Sequence, residues 1–176
     1  MFYAHPNTSQ SQRLEKLYKK VRALYGTVPP QMEFLGNIEA DYLEAFITAT
    51  RRIAAHPHID RDFFTFIRLY VAYREHYPYC MQFNRQMLRT LGYEEELLNL
   101  VISDISAIPL DEKHQRLAHL AIRAIYESSD ITPDDFEAIY ALGWSQKDTF
   151  DAIEHAGTIL KNGRILTAYM QKETTA

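Results

Sequence analysis

Cys80 is the chain's single cysteine and the residue whose position most invites nucleophilic chemistry. Pro78 stands two residues before it, and proline suits the first position of a helix because an N–H there would have no intrahelical partner. That register puts Cys80 in the first turn, beside unsatisfied backbone N–H groups and the positive end of the helix dipole. Such a position favours the thiolate, the nucleophilic form of sulfur. Asn84 lies one turn on, and helical side chains lean towards the N-terminus, so its amide covers the turn that carries Cys80. The alternative is a small apolar side chain in the core, since free cysteine is among the most buried residue types. His76 and Glu75, just before Pro78, are candidate acid–base groups, although a histidine at a helix end also serves simply to meet free carbonyls.

Other candidates carry less. His56, His58, Asp60 and Asp62 alternate over a short stretch like metal ligands, but Asp60 reads as a helix N-cap and no metal is expected. His114 and His119 are five apart, off a common helix face, and are expected at the surface; His155 is expected in packing or at the surface. Tyr70, Tyr73, Tyr77 and Tyr79 flank Cys80 and, with Phe83, either line an aromatic pocket or serve core and subunit packing. There is no glycine-rich phosphate loop and no serine nucleophile elbow, and no cofactor is expected.

One cysteine excludes an intrachain disulfide, a cysteine-based zinc finger and any self-contained dithiol chemistry, and a reducing cytoplasm is the expected compartment. Nineteen Lys and Arg against 23 Asp and Glu leave a net charge of −4. The basic clusters Lys19-Lys20 with Arg22, and Arg51-Arg52, form no stripe of the kind nucleic acid requires. Glu94-Glu95-Glu96 reads as a solvated first helical turn. No charge-free stretch approaches the roughly 20 residues of a membrane helix, and Met1 to Gln12 lacks the basic start and apolar run of a signal peptide. A protein free of membrane and nucleic-acid partners is expected.

The elements that must position Cys80 follow from apolar spacing. Leu14, Leu17, Val21 and Leu24 form a stripe that Gly26 ends. Gln31 to Leu35 fits one turn before Gly36, and Ile38 to Ala55 a long helix with Tyr42, Phe46, Ile47 and Ile53 inward. After His56-Pro57-His58, a helix with Phe63, Phe64, Ile67, Tyr70 and Val71 on more than one face belongs in the middle of a bundle. Further helices are expected from Pro78 to Gly92, from Glu94 to Ser103 and from Asp111 to Tyr126, the last with Leu117, Leu120, Ala121, Ala124 and Ile125 inward. Thr132-Pro133-Asp134-Asp135 and Ser145-Gln146-Lys147-Asp148 are capping boxes that open two more, the first ended by Gly143 and the second running to near Gln171. The expectation is an all-α bundle of about eight helices forming one domain over residues 1–176.

Glu75 to Leu91, followed by Ile108-Pro109-Leu110, Ile131-Thr132-Pro133 and Ala141-Leu142-Gly143-Trp144-Ser145, resembles the alkyl hydroperoxidase D-like (AhpD-like) group of the carboxymuconolactone decarboxylase superfamily, and most closely its peroxidase-related branch. The likeness runs from about Gly26 to Gln171. It implies an AhpD-like helical bundle that assembles into dimers, trimers or hexamers. In active members a Glu lies twelve residues before a Cys-x-x-Cys, and a His four residues after it. The second Cys attacks the peroxide, the first resolves it, and Glu and His manage protons. On this chain those positions are Thr65, Tyr77, Cys80 and Asn84, so only the attacking sulfur is present. The resemblance implies a one-cysteine thiol peroxidase or redox-responsive protein that uses Cys80 and an external thiol reductant. The alternative is a non-catalytic oligomer or small-ligand-binding module built on the pocket of Thr65, His76, Tyr77 and Asn84.

Overall fold

The computed structural model describes residues 2–170, and only the backbone of Leu24. The inward Leu24 side chain and a last helix reaching Gln171 lie outside the described residues. Among the described residues nine α-helices run in order: α1 (Ser11–Tyr25), α2 (Pro30–Ile38), α3 (Ala40–Ala54), α4 (Arg61–Arg74), α5 (Pro78–Thr90), α6 (Glu95–Ser103), α7 (Glu112–Tyr126), α8 (Pro133–Ala141) and α9 (Gln146–Tyr169). Among the described residues the only β-type pairing is an isolated antiparallel bridge between Phe2 and Met170. The fold is all-α. Within the expected single domain, contacts separate two compact units, Met1–Ala55 with Arg164–Ala176, and His56–Gly163.

The ninth helix beyond the expected eight is α2. Gly36 does not stop it; a Cβ there would come within 2.5 Å of Tyr18 Oη, so the glycine lets α2 lie close to α1. Leu14, Leu17 and Val21 of α1 form the core of this first unit with Met32, Ala40, Leu43 and Ile47. Helix α3 starts later than expected because Glu39 is extended (φ −165°, ψ 137°), and Gln10 Oε1 takes the Ala40 N–H at 3.1 Å. Tyr42 points outward, 59% exposed, while the adjacent Leu43 is fully buried. Phe34 packs between Phe2 and Tyr169, with centroids 5.4 and 5.0 Å away.

In the second unit α4 is the buried axis. Phe63, Phe64, Thr65, Phe66, Ile67, Leu69, Val71 and Ala72 are all buried, and α5, α6 and α7 pack against it. Each phenylalanine so buried contributes about 1.5–3 kcal/mol relative to an exposed one. Asp60 occupies the N-cap position of α4, but its side chain makes no capping hydrogen bond. Both capping boxes form: Thr132 with Asp135 opens α8, and Ser145 with Asp148 opens α9. His114, expected at the surface, is buried, with its ring edge-on to Trp144 at 4.9 Å and Nδ1 2.5 Å from Asp111 Oδ1. Trp144 in turn donates from Nε1 to the Lys113 carbonyl at 2.9 Å. His119 is exposed as expected, and His155 packs edge-on against Phe64 at 5.0 Å.

The corner between α4 and α5 rests on α9. Tyr77 is buried, and its hydroxyl donates to the Leu160 carbonyl at 3.2 Å. Its ring fills the space beside Gly163, where an added Cβ would lie 1.9 Å from Tyr77 Cε2. Gly157, also on α9, has only Ile125 Cγ2 near it, at 3.8 Å. Gly163→Ala is therefore expected to lose about 1–3 kcal/mol through overpacking. Gly157→Ala should instead gain up to about 1 kcal/mol from helix propensity. Urea midpoints for the two variants separate these outcomes, and equal midpoints would show that the tyrosine ring yields freely.

Candidate functional site

The site is assembled where α4 ends and α5 begins. Tyr77 N–H bonds to the Ala72 carbonyl at 2.9 Å and His76 N–H to the Tyr73 carbonyl at 3.2 Å. This is the Schellman arrangement, with His76 in the left-handed position (φ 55°) that more often belongs to glycine. The chain then reverses through Pro78 at the first position of α5, and Cys80 falls in the first turn of that helix, as the proline register requires.

Three of the expected site residues come together there, joined by one that the sequence reading missed. Asn84, 3% exposed, donates from Nδ2 to the Cys80 carbonyl at 2.8 Å. Its Oδ1 accepts from Arg68 Nε at 2.9 Å, and Arg68 Nη2 donates to Thr65 Oγ1 at 2.8 Å. Met87 Sδ lies 3.7 Å from the same Nη2. Asn84 thus holds the backbone of Cys80 rather than its sulfur. Arg68 is the only charged residue between Phe63 and Tyr73, a run otherwise almost wholly apolar. A charge there, three residues beyond Thr65 on one helix face, was the available signal.

The thiol is free and half-buried. Burial pushes its pKa above the ordinary value, and the Arg68 guanidinium opposes that shift without cancelling it. The first-turn position does not yield a thiolate-prone cysteine, because desolvation outweighs the charges that favour the anion.

Tyr77 and His76 are turned to other work. Tyr77 is committed to Leu160 and Gly163, and His76 stands exposed on the reversing turn. Glu75 meets the Tyr126 hydroxyl, whose pKa is raised by burial and then by that carboxylate. The aromatic residues near Cys80 disperse to different partners: Tyr79 stacks on Phe83 at 6.0 Å, and Tyr73 lies under Arg85 at 5.0 Å.

The four alternating His and Asp residues do not converge either. Asp62 accepts from Tyr93 Oη at 2.8 Å, Asp60 is exposed, and His56 and His58 face Asp148 and Asp151 of α9. Among the described residues no three His, Cys, Asp or Glu side chains are arranged to hold a metal ion.

No known family model matches the sequence, and no curated protein does. Solved structures match in shape. A peroxidase-related protein of uncharacterised function from Silicibacter sp. TM1040 superposes with a TM-score of 0.77 at 18% identity, over 97% of this chain and 88% of its own. A second peroxidase-related protein, described as an alkylhydroperoxidase AhpD core, from Ralstonia eutropha JMP134, gives 0.75 at 14% identity, over 97% and 92%. The chain has the AhpD-like fold. Cys80 is a free thiol, and Thr65, Tyr77 and Asn84 bring no second thiol, carboxylate or imidazole to it.

Iodoacetamide should label Cys80 at a rate that climbs through a midpoint above the ordinary thiol value of about 8.5. Arg68→Gln should move that midpoint higher still, because it removes a cation that stabilises the thiolate. A midpoint below neutrality would contradict the desolvated thiol.

Proposed function

We propose that the protein reduces hydroperoxides through Cys80 as its only redox centre, with an external thiol as reductant. The observation that carries this reading is the run of contacts from Thr65 through Arg68 and Asn84 to Cys80. It associates a guanidinium with a half-buried free cysteine in the first turn of a helix, within a fold seen in peroxidase-related proteins. The thiolate attacks the outer oxygen of the hydroperoxide, the O–O bond breaks, and the alkoxide takes a proton and leaves as the alcohol. Sulfur is oxidised to sulfenic acid. One external thiol condenses with it to a mixed disulfide and water, and a second thiol releases Cys80 as thiol together with the external disulfide. Tyr77 has no sulfur to replace the first external thiol.

The charge on Arg68 helps both the thiolate and the departing alkoxide. Asn84 offers hydrogen bonds but no general base near neutrality, so turnover should be slow and should rise with pH as the thiolate forms. The proposal includes a cytoplasmic setting and self-association into a dimer, trimer or hexamer. Among the described residues no helix is long and apolar enough to cross a membrane.

A second reading is favoured by the raised thiol pKa and by the structural work of Tyr77 and Asn84, both of which hold backbone carbonyls. On that reading the fold is a non-catalytic oligomer or small-ligand-binding module. Consumption of cumene hydroperoxide with dithiothreitol distinguishes the two. Cys80→Ser should abolish protein-dependent turnover, and Arg68→Met should lower it several-fold at neutral pH. Turnover unchanged in Cys80→Ser sinks the proposal, and none in the native protein favours the binding module.

A further inference from the structure

A second polar cluster lies in the second unit, apart from Cys80, and the peroxide-reducing reading makes no use of it. The bend His56-Pro57-His58-Ile59-Asp60 leads into α4. Within it the backbone N–H groups of Ile59 (3.0 Å) and His58 (3.3 Å) both donate to His56 Nδ1. A ring nitrogen that accepts such bonds carries no proton, so the neutral imidazole holds its proton on Nε2. The His56 side chain is only 2% exposed, and Nε2 faces Asp151 Oδ2 at 3.3 Å and Asp148 Oδ1 at 3.7 Å, both carboxylates being 4% exposed. This tautomer offers a donor to the carboxylates and no lone pair to a metal.

We propose that His56 is an acid-operated latch on the first turn of α4: a proton taken on Nδ1 removes the acceptor shared by two backbone N–H groups and releases the bend.

Charged groups near the ring bear on that step. On α9, Asp148 and Asp151 favour the added proton and Lys147 opposes it, while burial opposes it most. His58, in the bend itself, is held by Asp148 Oδ1 at 3.0 Å, and Lys147 Nζ is held by Asp151 Oδ2 at 2.5 Å. Burial raises the Asp148 pKa, but its hydrogen bonds from Ser145 and His58 leave it below the ordinary aspartate value, so it stays ionised while the imidazole titrates. From α4 the ring meets Phe64, with centroids 5.7 Å apart.

The sign follows from burial. His56 titrates below the ordinary histidine value, so the unfolded chain binds the proton more readily than the native one. The latch is fully held above about pH 6.5 and is lost as pH falls through the lower native value. Ile59, 3% exposed, is the apolar plug that the bend holds in place, and Thr65 and Arg68 follow on the same helix. Acid therefore loosens the first turn of the element that carries the Cys80 contacts.

Nitrogen-15 NMR of the imidazoles and amide exchange of the full chain test the inference, and neither readout depends on peroxide turnover. At about pH 7.5, His56 should show the Nε2–H tautomer; on acidification, protection at His58 and Ile59 should fall about tenfold with the midpoint of the His56 titration. His56→Asn keeps a short acceptor for the same N–H groups without titrating, so protection there should stay flat. His58→Asn should leave the native midpoint in place. An Nδ1–H tautomer at neutral pH, a loss of protection that does not track His56, or an unchanged acid transition in His56→Asn overturns the latch. Disappearance of the transition in His58→Asn overturns it too, by moving the switch to the His58–Asp148 pair.

Discussion

The close fit of the Tyr77 ring against Gly163 is the constraint on which the site depends. A phenol ring and a helix backbone occupy space that leaves no room for a Cβ, so this stretch of α9 fixes the corner between α4 and α5. The hydroxyl bond to Leu160 sets how deeply the ring sits. Once Tyr77 is fixed, the Schellman turn before it and Pro78 after it leave the chain little freedom, and Cys80 arrives in the first turn of α5. Tyr77 thus serves as an anchor for the fold.

Burial of α4 accounts for the electrostatics that follow. A helix with so much apolar surface can carry a cation only where partners meet it, and Arg68 meets Asn84 and Thr65. Those contacts join α4 to α5 beneath Cys80. The same low polarity that strengthens the Arg68 contacts also penalises a charged sulfur, and for the thiol the penalty is the larger effect.

Much of the fold could be read from residue spacing. The apolar positions of α1, α4 and α7 and the two capping boxes are local signals, and local hydrogen bonds and helical periodicity express them directly. What failed was information held by neighbours distant in sequence. Gly36 looks like a helix stop until Tyr18 is known to lie over it, and His114 looks like a surface residue until Trp144 covers it. The site shows the same division. Proline spacing set the turn of Cys80 correctly, but its thiol pKa depends on burial by other helices, which the spacing does not contain. Asn84 does cover the turn that carries Cys80, as its spacing implied, but its bond to the Cys80 carbonyl and its second partner, Arg68, were not legible in that spacing.

Arg68 also bears on how the site responds to substitution. Its guanidinium ties Thr65 and Asn84 together, so a change at either residue disturbs a cation that the other also holds. Putting an imidazole at residue 84 alone removes the oxygen that accepts from Arg68 Nε, and putting a carboxylate at residue 65 alone gives the guanidinium an ion-pair partner that competes for it. Either substitution alone disrupts the bridge already present. The two positions are therefore coupled through Arg68, and the effects of changing them should not add.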